Sequence, residues 1–327
     1  MAGKRSYIPP EYRPKVPGGC LERPLKSERI ERNRRQEVLL LSAKQDLISR
    51  SFLHLIEEAA EQVLHLFYED LGEGWSFSYR EGDLQISLSG KLFRPKAIYH
   101  RHPGVERDHP RRELHLGFLQ ALELWGGRVL GQKSCHYLNS SKPLQLISSM
   151  SASLKRERGA GVRIPTTRIV KTADKKRLSF LKEGWIVKSC SNVRSKAAEP
   201  KEPAIWKEER INNLPTLFQE RIDGVDLRVH LMGDHLWPLE IAGKDCLDYR
   251  YASKESLSYR RAEIGKGLKN FCRIFSQTEN NPLTGIDFIK RGGCYFCLEL
   301  NSGPGWSTFP EAERALFAKK LFQELNQ

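Results

Sequence analysis

Nothing in these 327 residues is apolar for long enough to cross a bilayer, which takes about 20 consecutive positions. Val38-Leu39-Leu40-Leu41 has only the size of a buried strand, so no membrane partner is expected. Lys4 and Arg5 follow Met1 without an apolar stretch behind them, so no secretory signal is read there. The seven cysteines are an odd number and lack the spacing of a disulfide framework. Free thiols and a cytoplasmic location are expected. No zinc finger, helix-turn-helix or aromatic ribonucleoprotein signature is present, and specific nucleic-acid binding is not expected. Internal repeats are also missing.

Charge is abundant. Lys and Arg number 54 against 40 Asp and Glu, a formal net charge of +14. Such a balance speaks to partners rather than to fold. It attracts anions such as ATP or an acidic peptide, and at its plainest it keeps the protein soluble. The 39% hydrophobic content suffices for more than one subdomain.

Four segments are expected. Residues 1–36 carry Pro9, Pro10, Pro14, Pro17 and Pro24 and no periodic apolar face, and read as a flexible basic arm. Residues 37–138 form an α/β lobe with a largely parallel sheet. A strand at Val38–Ser42 precedes a helix from Ser49 to Glu69, striped by Phe52, Ile56, Val63, Leu66 and Phe67. Strands near Trp75–Tyr79, Leu84–Leu88 and Ala97–Tyr99 follow, then a helix from Arg112 to Trp125. Residues 139–217 form a central lobe, opened by a helix that Ser140 and Ser141 can cap. Residues 218–327 form the last lobe, with strands near Leu227–Leu231, Leu236–Ile241, Gly285–Ile289 and Tyr295–Leu300, and helices over Ser256–Ser276 and Glu311–Leu325.

The strongest local signal is Gly285-Ile286-Asp287-Phe288, a Gly292-Gly293 turn, then Leu298-Glu299-Leu300-Asn301. Side chains two apart on a strand share a face, so Glu299 and Asn301 point the same way. Asp287 lies on the preceding strand. Direct opposition of Asp287 and Glu299 requires an odd loop such as Gly292-Gly293-Cys294, because partners in a regular hairpin keep a constant index sum. Two carboxylates and an amide carbonyl are hard ligands suited to Mg²⁺ that bridges phosphates. A strand pair with polar outer faces is the plainer reading of the hairpin alone. Trp185-Ile186-Val187-Lys188 ends a buried strand in a lysine that can meet a phosphate, or simply solvent. Phe218 to Ile222 marks a crossing between lobes, and Asp226 and Arg228 share one face of the next strand.

In that order, these motifs resemble the ATP-grasp superfamily, whose two lobes clasp ATP. The resemblance implies an ATP-grasp fold with an N-terminal α/β lobe, and ATP and Mg²⁺ as cofactors. It implies that Lys142 and Lys188 contact phosphates, that Gln219, Glu220, Arg221 and Ile222 frame adenine, and that Asp226 holds ribose. Asp287, Glu299 and Asn301 become the magnesium ligands.

Within the superfamily the chain is similar to the graspetide synthetases, which cross-link ribosomal peptides through side-chain esters or amides. It is also similar to the ribosomal-protein glutamate ligases. Asp248-Tyr249-Arg250 looks like the Asp-x-Arg motif of the former, Tyr99 to Pro103 like their aromatic-Arg-Arg segment, and Asn301 to Trp306 like their Asn-Pro-x-Gly-x-Trp ending. Ser189 to Ser195 departs from the plain Gly-rich phosphate loop.

The implied activity is ligation through an acyl phosphate, with a peptide or amino-acid carboxylate as substrate. Arg228 and Arg250 neutralise charge, and Asp248 orients Arg250 or accepts the nucleophile's proton. Addition of amino acids to a protein tail or small metabolite is the alternative, and a non-catalytic nucleotide-binding clamp another. A homodimer is left open. His100, His102 and His109, among arginines, read as a substrate-facing basic edge or a solvated one. Cys294-x-x-Cys297 reads as packed cysteines, because residues three apart on a strand face opposite sides.

Overall fold

The computed structural model describes residues 38–102, 109–131, 150–157, 159–170, 184–190, 197–199, 216–253 and 255–327, without the side chains of Ser189 and Arg250. The arm, Lys142 and the helix expected after Ser141 lie outside the described residues.

The chain begins with β1 (Val38–Ser42), α1 (Leu47–Leu55), β2 (Val63–Phe67), β3 (Trp75–Arg80), β4 (Asp83–Leu88), β5 (Lys91–Phe93), β6 (Ala97–His100), α2 (Arg112–Leu124) and β7 (Arg128–Gly131). Strands β2-β1-β6-β7 form a parallel sheet in that order. β1 is apolar at successive positions because both of its faces are covered. Leu39 and Leu41 pack with Phe118 and Leu122 of α2, and Val38 and Leu40 with Phe52 of α1.

Two expectations change here. The helix over Ser49–Glu69 ends at Leu55, and after a 3-10 turn Val63–Phe67 is a strand parallel to β1. Glu57, at φ 50°, breaks the helical path. A short apolar run fits either period, and the free edge of β1 selected the strand. Strands β3, β4 and β5 form their own antiparallel sheet instead of joining the parallel one.

The middle holds α3 (Ser151–Arg156), β8 (Val162–Arg163), β9 (Thr167–Val170), β10 (Trp185–Ser189) and β11 (Thr216–Glu220). Strands β10-β11-β9 make an antiparallel sheet. The rest comprises β12 (Val225–Met232), β13 (His235–Ala242), β14 (Ser258–Arg261), α4 (Lys266–Thr278), β15 (Leu283–Arg291), β16 (Cys294–Ser302) and α5 (Glu311–Leu325). The helix expected from Ser256 therefore starts ten residues late, because Ser258–Arg261 pairs with β13.

Six strands, in the order β14-β13-β12-β15-β16-β8, form the largest sheet. One face carries Leu227, Val229, Ile286, Phe288 and Leu300 onto Leu268, Phe271 and Phe275 of α4. At one end, Met232, Trp237, Leu239 and Leu283 share a core with Phe317 and Leu321 of α5 and with β1 and β6. Helix α5 thus fills the space between the parallel sheet and the six-stranded sheet. Cys297 packs among the α4 residues, and Cys294 against a cluster of Ile222, Ile289 and Phe296.

Candidate active site

Alternation on β12, β15 and β16 sends one residue set to α4 and the other to the opposite face. That opposite face borders a cleft of about 670 Å³, lined across from it by Ile186 and Lys188 of β10 and Gln219 of β11. This volume lies in the range of small-molecule sites.

Asp287 pairs directly with Glu299, but by a different route from the expected odd loop. Arg291 pairs with Cys294, which leaves a two-residue turn of Gly292 and Gly293 at φ 55° and 77°. Positive φ at both positions is what a type I′ hairpin turn requires. A register shift then follows Phe288: Phe288 faces Cys297 and Asp287 faces Glu299, so Leu298 is the extra residue of a β-bulge. Leu298 and Glu299 consequently both line the cleft.

Asn301 donates through Nδ2 to Asp287 Oδ2 at 2.9 Å and to Glu299 Oε1 at 3.2 Å. Metal ligation needs its carbonyl oxygen, which a half-turn of the amide exchanges with the nitrogen. Among the described residues no three His, Cys, Asp or Glu side chains converge on a metal position. Two carboxylates plus an amide oxygen still fit Mg²⁺, which keeps several ligand positions for water and phosphate.

Arg228 faces Asp287 across the β12–β15 ladder and donates Nη1 to both carboxylate oxygens, at 2.8 and 2.9 Å. Tyr249 Oη stands 3.4 Å from the same nitrogen, and His230 Nε2 lies 3.5 Å from Nε. Burial opposes the guanidinium charge, and Asp287 and then Tyr249 outweigh it, so Arg228 is firmly protonated. Asp226 is also buried and ion-pairs with Lys244 at 2.6 Å. Burial lifts its carboxyl above the ordinary value, Lys244 draws it down, and the charge of Asp248 adds to the lift. Asp248 and Tyr249 belong to the cleft wall, on the loop after β13. Arg250 lies in a 3-10 turn beside them.

On the other wall Lys188 donates to Gln219 Oε1 at 3.0 Å, and Gln219 Nε2 donates to Thr167 Oγ1 at 3.1 Å. The Glu220 carboxylate accepts from Thr166 Oγ1 at 3.0 Å. Arg221 pairs with Glu199 and, at 2.9 Å, with Asp223. Ile222 packs on Ile289 and Phe296.

Lys188, Gln219, Glu220, Arg221, Ile222, Asp226, Asp248, Asp287 and Glu299 therefore line one cleft, with Arg228 and Asn301 hydrogen-bonded to its acids. Lys142 lies outside the described residues. Tyr249 and Lys244 are among the cleft residues that escaped the sequence reading. Tyr249 is the middle residue of Asp-x-Arg, and Lys244 lies between β13 and that motif.

The basic edge is corrected. His100 and His102 are buried, at 0 and 5% exposure, against Tyr68 and near His115. Aromatic rings pack around them. Only His109 of the three is exposed.

No protein-family model matches the sequence, and no curated protein is similar to it. Solved structures are similar in fold. The ATP-grasp ligase PsnB, complexed with a phosphomimetic variant of a minimal precursor, Mg and ADP, superposes with a TM-score of 0.65 at 22% identity, covering 90% of this chain and 100% of that one. The macrocyclase MdnC from Microcystis aeruginosa, bound with precursor peptide MdnA, gives 0.60 at 14% identity over 88% and 99%. D-alanyl-alanine synthetase A from Vibrio cholerae gives 0.53 at 15% identity over 90% and 98%. With helices on a parallel sheet, and a small antiparallel sheet facing a large one across a cleft, this chain has the α/β fold of the ATP-grasp ligase PsnB.

Proposed function

We propose that this protein is a MgATP-dependent ligase that activates a carboxylate as an acyl phosphate and joins it to a hydroxyl or amine on a peptide. The supporting observation is the opposition of Asp287 and Glu299 beside Arg228, across a cleft from Lys188. The peptide is suggested by PsnB and MdnC, whose structures hold precursor peptides. A cytoplasmic location is part of this reading, and the free thiols of the described cysteines are compatible with it.

In this reading Lys188 meets phosphate oxygens, as does Lys142, and Asp226 accepts from ribose hydroxyls once Lys244 turns to the phosphates. The side chains of Gln219 and Glu220 are engaged with Lys188 and Thr166, so adenine contact falls to Ile222 and the backbone of 219–222. Asp287, Glu299 and the Asn301 carbonyl would hold Mg²⁺, which when bound neutralises phosphate charge. A substrate carboxylate oxygen attacks the γ-phosphorus and ADP leaves. The nucleophile then adds to the acyl carbon, the bond to phosphate breaks, and Asp248 takes the nucleophile's proton. Arg228 and Arg250 favour the charge that develops.

The test is incubation with MgATP and a short precursor rich in Thr, Ser, Lys and Glu or Asp, encoded beside this gene. Peptide-dependent ADP release with loss of one water per bond is expected. A product heavier by an aminoacyl residue points instead to amino-acid addition, which the likeness to D-alanyl-alanine synthetase A keeps in view. Nucleotide binding without any turnover points to a clamp.

A further inference from the structure

Arg101 directly follows β6 of the parallel sheet, yet its side chain reaches the loop that leaves the candidate metal site. It is only 12% exposed and grips Asp46 with two bonds, Nε to Oδ2 at 2.5 Å and Nη2 to Oδ1 at 3.1 Å. Its remaining nitrogen, Nη1, donates to the carbonyl of Gly303 at 3.2 Å and that of Pro304 at 3.5 Å. Asp46 is itself fixed, because it caps α1 by accepting from the Ser49 N–H at 3.1 Å. A planar fork held by a carboxylate has little freedom to let the two carbonyls move.

Gly303 and Pro304 follow Asn301 by two and three residues. Gly285, the ladder partner of Asn301, shows how closely this loop presses on the site. A Cβ at Gly285 would stand 2.7 Å from Pro304 Cβ and 2.7 Å from Arg228 Nη2. Pro304 and the guanidinium that grips Asp287 therefore both close on the space above Gly285. A shift of this loop would move Asn301 at one end and crowd Arg228 at the other.

We propose that Arg101 is a positioning residue for the Asp287–Glu299–Asn301 site, acting through the Gly303–Pro304 loop with Asp46 as its anchor. This rests on the reading of that site as a Mg²⁺ and nucleotide site. Residues that orient metal ligands from behind affect metal affinity without touching the metal.

The test is ADP binding by calorimetry, with and without Mg²⁺, on the full chain. Arg101→Lys keeps the charge and loses the fork. It should weaken Mg²⁺-dependent ADP binding about tenfold while leaving Mg²⁺-free binding unchanged. Arg128→Lys is the control, since Arg128 ties the same parallel sheet to Glu324 of α5 at 2.8 Å and bonds no site residue among the described residues. It should lower the melting temperature and leave the Mg²⁺ dependence alone. Equal Mg²⁺ dependence in wild type and Arg101→Lys overturns the proposal. A wild type whose ADP binding ignores Mg²⁺ overturns the reading of the site instead. Should the lysine variant not fold, Asp46→Asn keeps a good helix cap and gives the same readout.

Discussion

Lys188 and Gln219 are held by one another on the cleft wall, so a phosphate reaching Lys188 meets an ammonium already in place. Lys188→Ala should weaken binding of a nonhydrolysable ATP analogue by tenfold or more, as expected for a charge-assisted bond of roughly 1.5–3 kcal/mol. Unchanged affinity by calorimetry would remove Lys188 from the site. Asp248 and the Asp-x-Arg arginine should behave differently. Asp248→Ala and Arg250→Ala should keep near-normal MgATP affinity and lose peptide-dependent ADP release, the signature of groups that act on the transition state. Both variants turning over at the wild-type rate would reduce the motif to a surface ion pair. That Glu299 and Asn301 share a face was legible in the sequence because alternation along a strand fixes faces, whereas their meeting with Asp287 depends on the bulge at Leu298. Tyr249 and Lys244 were not, since their roles depend on where a loop carries them. His100 and His102 were misread because the neighbours that decide their burial, Tyr68 and His115, come from other elements.

At the scale of elements, the β15–β16 hairpin was legible and its bulge was not. A two-residue turn and a three-residue turn look alike as Gly292-Gly293-Cys294. Leu298 carries no mark of being the extra residue. The turn itself offers a check. Gly293→Ala places a side chain at φ 77° and should cost about 1–2 kcal/mol. Gly292→Asn at φ 55° should be nearly neutral, because Asn tolerates that region. Thermal melting of the two variants reads the difference, and equal midpoints would mean that the turn relaxes into another type. Helix and strand were confused at Val63–Phe67 and at Ser258–Arg261 for one reason. Each is a short run whose identity is settled by an open strand edge, of β1 or of β13, that local periodicity does not display.

At the scale of the whole molecule, the succession of sheets and helices was largely readable from apolar periodicity, whereas the core that α5 shares with β1 was not, since nothing local reports contacts between the two ends of the described fold. Buried histidines give the molecule a pH dependence. Burial lowers His65 and His115 to about 4, and an unfolded imidazole titrates near 6.5. Between those values the unfolded chain binds more protons than the folded one. Stability present at pH 7 is therefore lost as pH falls from about 6.5 towards 4, by up to about 1.4 kcal/mol per pH unit for each histidine. Urea denaturation at pH 7 and pH 5 should show the drop, and equal midpoints would place both rings in contact with solvent. The position of α5 has a further consequence, for synthesis. About 270 residues separate β1 from the helix that completes its core, so at ribosomal speed the strand waits roughly 15–50 s for its cover. For that time a strand with four successive apolar residues is only half dressed, and the nascent chain depends on α1, α2 and whatever chaperone meets it to keep Val38 and Leu40 out of water.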